Sequence, residues 1–530
     1  MRRVLFNVGG ILFVVVVWEF LGRTVGGPNT LPPFTDVIAQ IWKDRQIYPY
    51  DVMTTSISAL EGFLIGNAVA VFLAILFLLL PVTETLLRAS GLILFSAPLI
   101  VLTPILGVAL GGHGASVALA AVALFYPTLD RTLEEMHSSR RELVNIVEVF
   151  GGTRWTVFRI VRLRFGLPGL ATGLKVAGPV ALLGAMLGES TGSSHGLGRL
   201  LYSSLGGTHM RVWGICIISA TLSGLSYFAF AILESHFKVN LPGAKRTDEA
   251  PQRSRTFPTV MVAVLKAVAG LVIALCLWYV TCAANLYVFK TPLQVLKFAT
   301  RLSPEEIGQF RHALFQTAWP ASAGFVAGLA VAFLAASCIS LFRPALSVLM
   351  PLVLIPQTVP LVALTALICV VFGRGAAAIT TITVSVTFFP SFEAILYGLQ
   401  NTDQQLVDLV RIYSDSRLTQ FWRLRIPNAV PYFFQAVKLS FPRVLLGVIL
   451  AEYLVTHTGL GGLLYDFRGK QDFLGLWLIA ALASAISVTF YLLARFGESA
   501  LRRRAETVLY DFRSSGILKQ RGLRGAPTHA

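Results

Sequence analysis

Charge is what this sequence has least of. Only 13% of its 530 residues are Asp, Glu, Lys or Arg, against roughly a quarter in soluble domains. Hydrophobic residues make up 55%, and the mean hydropathy is +0.70. With many apolar runs of about 20 residues, this argues against a soluble enzyme with long core helices and for a polytopic membrane protein. Acids are scarcer than bases, 27 against 44, which leaves a net charge of +17. There is no arginine-rich aromatic module, so the excess is assigned to cytoplasmic loops and not to nucleic acid. Five cysteines (Cys216, Cys276, Cys282, Cys338, Cys369) lack metal spacing and fall mostly in apolar runs. They read as small core residues. The eight histidines form no HxxxH or similar cluster. No GxxxxGK[ST] occurs either, which excludes a phosphate-binding loop of that kind in this chain.

What the sequence does contain, it contains twice. Shifted by 263, Gly151, Pro168, Lys175, Glu189, Gly196-Leu197-Gly198 and Tyr202 fall on Ser414, Pro431, Lys438, Glu452, Gly459-Leu460-Gly461 and Tyr465. Every landmark but the first keeps its residue type. Gly62-Phe63-x-x-Gly66 matches Gly324-Phe325-x-x-Gly328 at 262, as Pro98, Thr103 and Gly111 match Pro360, Thr365 and Gly373. Tyr126-Pro127 matches Phe389-Pro390 at 263, so one residue in the loop after Gly111 reconciles the two offsets. The period is far too long for a solenoid repeat and indicates a duplicated or fused pair of whole domains.

The start, Met1-Arg2-Arg3 and an apolar run to Phe20, resembles a signal peptide. Trp18-Glu19-Phe20 is no small-residue cleavage site, however, and further spans follow, so a retained first helix is expected. Apolar runs place six spans near 4–21, 56–80, 87–110, 115–128, 168–187 and 212–233. Six more lie near 260–282, 316–341, 346–372, 376–389, 431–455 and 474–496. The expected fold is all-α, about twelve transmembrane helices in two parallel six-helix repeats related by a pseudo-two-fold axis along the membrane normal. The expected boundaries are a first repeat over 1–237, a polar linker over 238–258, a second repeat over 259–500 and a basic tail over 501–530. Loops 130–164, 238–258 and 403–425 and the tail hold most of the Lys and Arg, which places that side, and both termini, in the cytoplasm.

Each repeat sets a charged, helical-looking loop between its fourth and fifth spans, near 130–167 and 403–430. The pattern is a short helix, a sharp turn at Gly151 or Ser414-Asp415, a second amphipathic helix, and a proline at the start of the next span. Val147, Phe150, Trp155 and Phe158 would leave an apolar surface that needs a partner protein. This loop resembles the EAA loop of type I ABC importer permeases, E-A-A-x-x-x-G followed by a proline-marked helix. Asn145 and Asp408 stand at the Glu position, Gly151 and Ser414 at the Gly position, and Pro168, Pro427 and Pro431 at the proline positions. The departures are the uncharged Asn145, Ser414 in place of the turn glycine, and Arg164 where the first proline would stand. Flanking segments are similar to the nitrate/sulfonate/taurine-type permeases: Glu189 before Gly196-Leu197-Gly198, Glu452 before Gly459-Leu460-Gly461, Trp18-Glu19, and Leu31-Pro32-Pro33.

The resemblance implies a fused double permease in the bacterial inner membrane. It is not itself an enzyme and holds no cofactor; ATP-Mg would sit on two partner ATPase subunits. These would dock on Asn145, Glu148, Phe150, Gly151 and Trp155, and on Asp408, Arg411, Tyr413, Ser414 and Asp415. An extracytoplasmic substrate-binding protein would deliver a small polar or anionic solute of the sulfonate, taurine, nitrate or vitamin-precursor class. Pathway or gate candidates are Glu189 and Glu452, and the helix breaks at Pro98 with Thr103 and at Pro360 with Thr365. For the glutamates the alternative is loop anchoring, and for the prolines plain kinks. Lys175 and Lys438 are expected to snorkel to phosphates or to the coupling loop. Arg154, Arg159, Arg162 and Arg164 are expected on a headgroup- and partner-facing surface. The rival readings are a fused ferric-iron or thiamine permease, in which the paired Glu and GLG segments are not expected, and a duplicated twelve-helix secondary transporter, which needs no exposed coupling loop. An intramembrane enzyme would need a dyad or metal cluster that is not found.

Overall fold

The computed structural model describes residues 15–24, 26, 30–137, 141–207, 209–239, 257–282, 287–342, 359–402, 407 and 416–514. Among these there is no strand. In the first half, residues 15–24 form α1, followed by α2 (Phe34–Lys43), α3 (Tyr48–Leu79), α4 (Pro81–Ser96) and α5 (Leu99–His137). Then come α6 (Arg141–Val149), α7 (Arg154–Gly192), α8 (Leu197–Ser204) and α9 (His209–Val239). The second half continues with α10 (Phe257–Cys282), α11 (Pro292–Thr300), α12 (Pro304–Leu341) and α13 (Leu361–Phe372). It ends with α14 (Ala376–Gln400), α15 (Arg417–Thr456), α16 (Gly459–Gly469) and α17 (Phe473–Ser514).

Eight of these helices are long and apolar enough to cross a membrane: α3, α5, α7 and α9, then α12, α14, α15 and α17. The expected third span is broken. α4 stops at Ser96, and α5 starts at Leu99 after Pro98, whose carbonyl accepts from Val101 N at 3.0 Å. The third and fourth spans meet at Gly111, where φ 71° and ψ 173° interrupt the helix; Gly373 repeats this with φ 80° and ψ −171°. A left-handed φ costs glycine little, which is why the turn falls there. The equivalent of α4, within 343–358, lies outside the described residues.

The fifth and eleventh spans do not begin at their prolines. Helix α7 runs from Arg154 straight past Pro168, and α15 from Arg417 past Pro427 and Pro431. Each contains one π-turn ahead of the proline, Phe158–Arg162 and Phe421–Arg425. A widened turn of this kind relaxes the backbone ladder where a ring removes a donor.

Helix packing repeats too. A Cβ at Gly62 would stand 2.7 Å from Val117 O on α5, and one at Gly324 2.7 Å from Thr380 O on α14. Only glycine lets these backbones approach so closely. Caps mark the second half's outer helices: Ser303 and Glu306 bond reciprocally at the start of α12, at 3.2 and 2.7 Å. The halves are not separate bundles. α10 packs against α4, with Ser90 Oγ donating to Gly270 O at 2.8 Å. The largest buried apolar cluster includes Ile100, Leu119 and Met186 from one half and Ile382, Val448 and Ile449 from the other.

Candidate functional site

The first charged loop folds as a short amphipathic helix and a tight turn. Gly151 N donates to Glu148 O (3.0 Å) and Gly152 N to Val147 O (2.8 Å), which closes α6. Gly151 sits at φ +79°, the left-handed conformation that glycine adopts at helix ends. Thr153 Oγ1 then caps α7 by accepting from Thr156 N. The turn presents Phe150 (87% exposed), Val149 (83%) and Trp155 (54%) side by side in sequence, and Asn145, Glu148 and Gly151 are also exposed. Phe158 corrects the expectation: it is buried, packed with Phe77 of α3 and with Leu133 and Met136 of α5. Arg154 Nη1 donates to Leu79 O at 3.4 Å and ties the loop to α3. Arg159 and Arg164 are exposed; Arg162 is partly buried. Asp408, Arg411, Tyr413, Ser414 and Asp415 lie outside the described residues. Next to them, Leu418 stands at the position of Trp155 and is likewise exposed (58%).

At the other end of α7 and α15 the structure builds one arrangement twice. Helix α8 begins with three amides, and each meets a side chain. Gly196 N donates to Asp51 Oδ1 (2.8 Å), Leu197 N to Thr55 Oγ1 (2.8 Å) and Gly198 N to Glu189 Oε2 (2.9 Å). In the second half Gly459 N donates to Gln316 Oε1 (3.1 Å), Leu460 N to Thr317 Oγ1 (2.9 Å) and Gly461 N to Glu452 Oε2 (3.0 Å). Each threonine hydroxyl in turn donates a hydrogen bond to the glutamate, Thr55 to Glu189 and Thr317 to Glu452, both at 2.9 Å. The first amides of a helix have no intrahelical partner, so this cage satisfies them inside the membrane protein. Gly196 (φ +119°) and Gly459 (φ +62°) are required here, because a Cβ at either would run into the glutamate carboxyl. Both glutamates are buried, at 1% and 0% exposure, and their bonds run to the GLG loops and not to an open path.

Thr103 and Thr365 are fully buried, and Pro98 and Pro360 are buried too, so in this conformation none of the four lines accessible space. Thr103 Oγ1 bonds Leu99 O (3.1 Å), its carbonyl accepts from Thr191, and Thr365 Oγ1 has no partner among the described residues. Lys175 and Lys438 do not snorkel. They pair with Glu234 and Glu498 on the last helix of each half, because an acid one helix away offers what headgroups would at greater reach. Thr55, Thr317 and the two partner acids were missed in the sequence, although Thr55 and Thr317 stand at the repeat offset of 262.

Tyr202 and Tyr465, repeat equivalents on the two GLG helices, lie close enough to act on each other electrostatically, which places both by the pseudo-two-fold axis. Burial pushes the Tyr202 hydroxyl's pKa up. Arg468 bridges the halves there, donating to Tyr453 OH (2.7 Å) and to Thr191 O.

The chain was compared with known proteins. A family described as binding-protein-dependent transport system inner membrane component matches residues 66–239 and again 324–506. The formylaminopyrimidine transport permease protein ThiX of Halalkalibacterium halodurans is 29% identical over 241 residues, covering 44% of this chain and 94% of that protein. The riboflavin transport system permease protein RibX of Chloroflexus aurantiacus is 26% identical over 155 residues, 29% of this chain and 58% of that one. A Bacillus subtilis protein named as the aliphatic sulfonates transport permease SsuC is 24% identical over 229 residues, 43% of this chain and 77% of that one. No solved structure matches significantly. The chain therefore belongs to the binding-protein-dependent transport system inner membrane components, as a multi-pass inner-membrane ABC importer permease that carries the permease domain twice.

Proposed function

We propose that this one chain supplies the whole transmembrane pathway of its importer and couples to two ATPase subunits through two cytoplasmic EAA-type loops. The observation that carries this reading is the exposed apolar edge of Val149, Phe150 and Trp155 beside the Gly151 turn. An apolar edge on a soluble-facing loop calls for a protein partner. Asn145 and Glu148 would frame that contact, and the stretch holding Asp408, Arg411, Tyr413, Ser414 and Asp415 would form its counterpart. ATP-Mg would be held and hydrolysed on the partner subunits, and both termini would be cytoplasmic. Closure of the ATPases would draw the two loops together and rock the halves about their shared core. An extracytoplasmic binding protein would dock over the GLG helices. The solute is a small polar or anionic compound, in keeping with relatives named for formylaminopyrimidine, riboflavin and sulfonate transport.

The test is co-purification of the tagged chain from its native membrane, with ATPase activity as readout, for wild type and for Gly151→Asp combined with Ser414→Arg. Expected is co-elution of ATPase subunits with wild type and their loss from the double variant. A wild-type chain that purifies alone under several gentle detergents and moves solute on an ion gradient overturns the reading.

A further inference from the structure

Arg443 stands apart from the other charges of the membrane core. The neighbouring positions on α15 are accounted for. Ser440 Oγ meets Ser391 Oγ of α14 at 2.9 Å, Phe441 stacks on Phe490 of α17 at 3.5 Å, and Lys438 pairs with Glu498 of α17. What remains is a stripe at intervals of four, Gln435, Leu439 and Arg443, and all three are exposed. Residues four apart share one helix face.

Arg443 nevertheless lies deep among protein atoms. A side chain that is both deep and accessible to water lines an internal space. The charges acting on it are Glu393 of α14 and Arg131 of α5. Arg131 belongs to the first half, and α5 packs against α15. Arg443 therefore lies on the side of α15 that the first half's charge reaches, toward the seam between the halves. Arg131 is engaged by Glu134 at 3.2 Å, whereas no hydrogen bond or ion pair holds Arg443 among the described residues.

Charged groups at membrane depth are costly and persist where they face water or a partner. Glu189 recurs as Glu452 and Lys175 as Lys438, each held within its own half. The repeat equivalent of Arg443 is Val180, so this charge occurs once.

We infer that Arg443 reads charge in the transmembrane path, and that the solute crossing it carries an anionic group such as a carboxylate, sulfonate or phosphate. This deepens the importer reading and rests on it. A guanidinium presents planar paired donors to such oxygens. Glu393 supplies the opposing charge that keeps the contact weak, and a conduction site must release as well as bind.

The test needs no knowledge of the solute. In the full chain, the exposed Cys276 and Cys338 are replaced by serine and Leu439→Cys is added as a reporter, with Gln435→Cys as a second reporter should the first disturb folding. Open membrane fragments are treated with a negatively and a positively charged methanethiosulfonate reagent, and the reporter-free parent supplies the background. Expected is reaction with both. Arg443→Gln should lower the anionic-to-cationic rate ratio on the order of tenfold, as one charge a few ångströms away would in a partly aqueous space. Arg443→Lys should keep the ratio, and Glu393→Gln should raise it. A reporter that reacts only with a lipophilic maleimide places the stripe against lipid headgroups or tails and overturns the proposal. So does a reporter that reacts with nothing, or a ratio that Arg443→Gln leaves unchanged. If the ratio depends on Arg443 but no ATPase co-purifies, the coupling reading fails and the anionic path stands. Co-purifying ATPases with an unmoved ratio give the reverse.

Discussion

The two halves solve one problem with different chemistry. Both must satisfy three leading amides of a short helix inside a membrane protein. The first half does so with Asp51, Thr55 and Glu189, and the second with Gln316, Thr317 and Glu452. The threonine and glutamate are retained, while the outermost acceptor changes from a carboxylate on one turn of α3 to an amide on another turn of α12. Glu452 has both oxygens within 2.9 Å of Thr317 Oγ1, whereas Glu189 Oε1 has no partner among the described residues. What recurs is the group that closes the cage from within α7 and α15. What varies is the rim acceptor for the first amide, Asp51 in one half and Gln316 in the other.

The strongest way to break this comparison is to remove each glutamate. Glu452→Ala should cost about 3 kcal/mol of stability by stranding a buried amide and hydroxyl. Glu189→Ala, with one oxygen engaged, should cost about 1 kcal/mol less. Unfolding of the purified chain in detergent measures both, and equal costs would remove the asymmetry. Next in size is the glycine at each loop. Gly459→Ala and Gly196→Ala should each cost about 2 kcal/mol, since both conformational strain and the glutamate carboxyl oppose a Cβ. Gly151→Ala, whose Cβ would meet nothing, should cost about 1 kcal/mol by the same measurement, from backbone strain alone.

Asp51→Asn would give the first half the neutral rim of the second. It should cost about 1 kcal/mol, the difference between a charge-assisted and a neutral hydrogen bond. A larger loss would mean that the charge itself matters.

The smallest effect concerns a pair that the second half lacks. Asp44 lies between α2 and α3 and bonds Arg211 at 2.9 and 3.1 Å; Arg211 stands two residues before Trp213, and two residues before the matching Trp477 is Gly475. Arg211 holds the Asp44 carboxyl below its usual range. The folded state then binds that proton more weakly than the unfolded state. The pair's contribution is complete above the ordinary carboxylate value of about 4 and is lost as pH falls through the folded value. A stability scan from pH 6 to 3 should show a loss of less than about 1 kcal/mol that Asp44→Asn abolishes.

Much of this was legible in the residues. Hydropathy supports the membrane class, and the offset of 263 pairs Glu189 with Glu452 before any coordinate is known. Trp18-Glu19 and Leu31-Pro32-Pro33 look unrelated along the chain, yet Trp18 Nε1 donates to Pro32 O at 3.0 Å and Glu19 Oε2 accepts from Thr35 N at 3.1 Å. The same bracing recurs where Trp278 donates to Lys290 O and Trp477 to Val288 O, each at 3.0 Å. Phe158 reads as exposed alongside Trp155 because apolar spacing does not say which of two apolar side chains meets α3 and α5 and which is left outside. Lys175 and Lys438 were misread because their partners lie 59 and 60 residues away on another helix.

By itself the sequence determined that the chain spans a membrane, that it is built twice, and where its turns fall. Each of these follows from local quantities: apolar run length, residue identity at a fixed offset, and glycine where φ must be positive. Only the tertiary structure decided what the repeated charges do. The bonds of Glu189 and Glu452 became visible as cage bonds once α3 and α12 brought Thr55 and Thr317 beside them. Arg443 is set apart from the paired charges only by its exposure and its lack of a bonded partner among the described residues. A charge takes its role from what surrounds it, and in a helical membrane protein those surroundings come from helices distant in sequence.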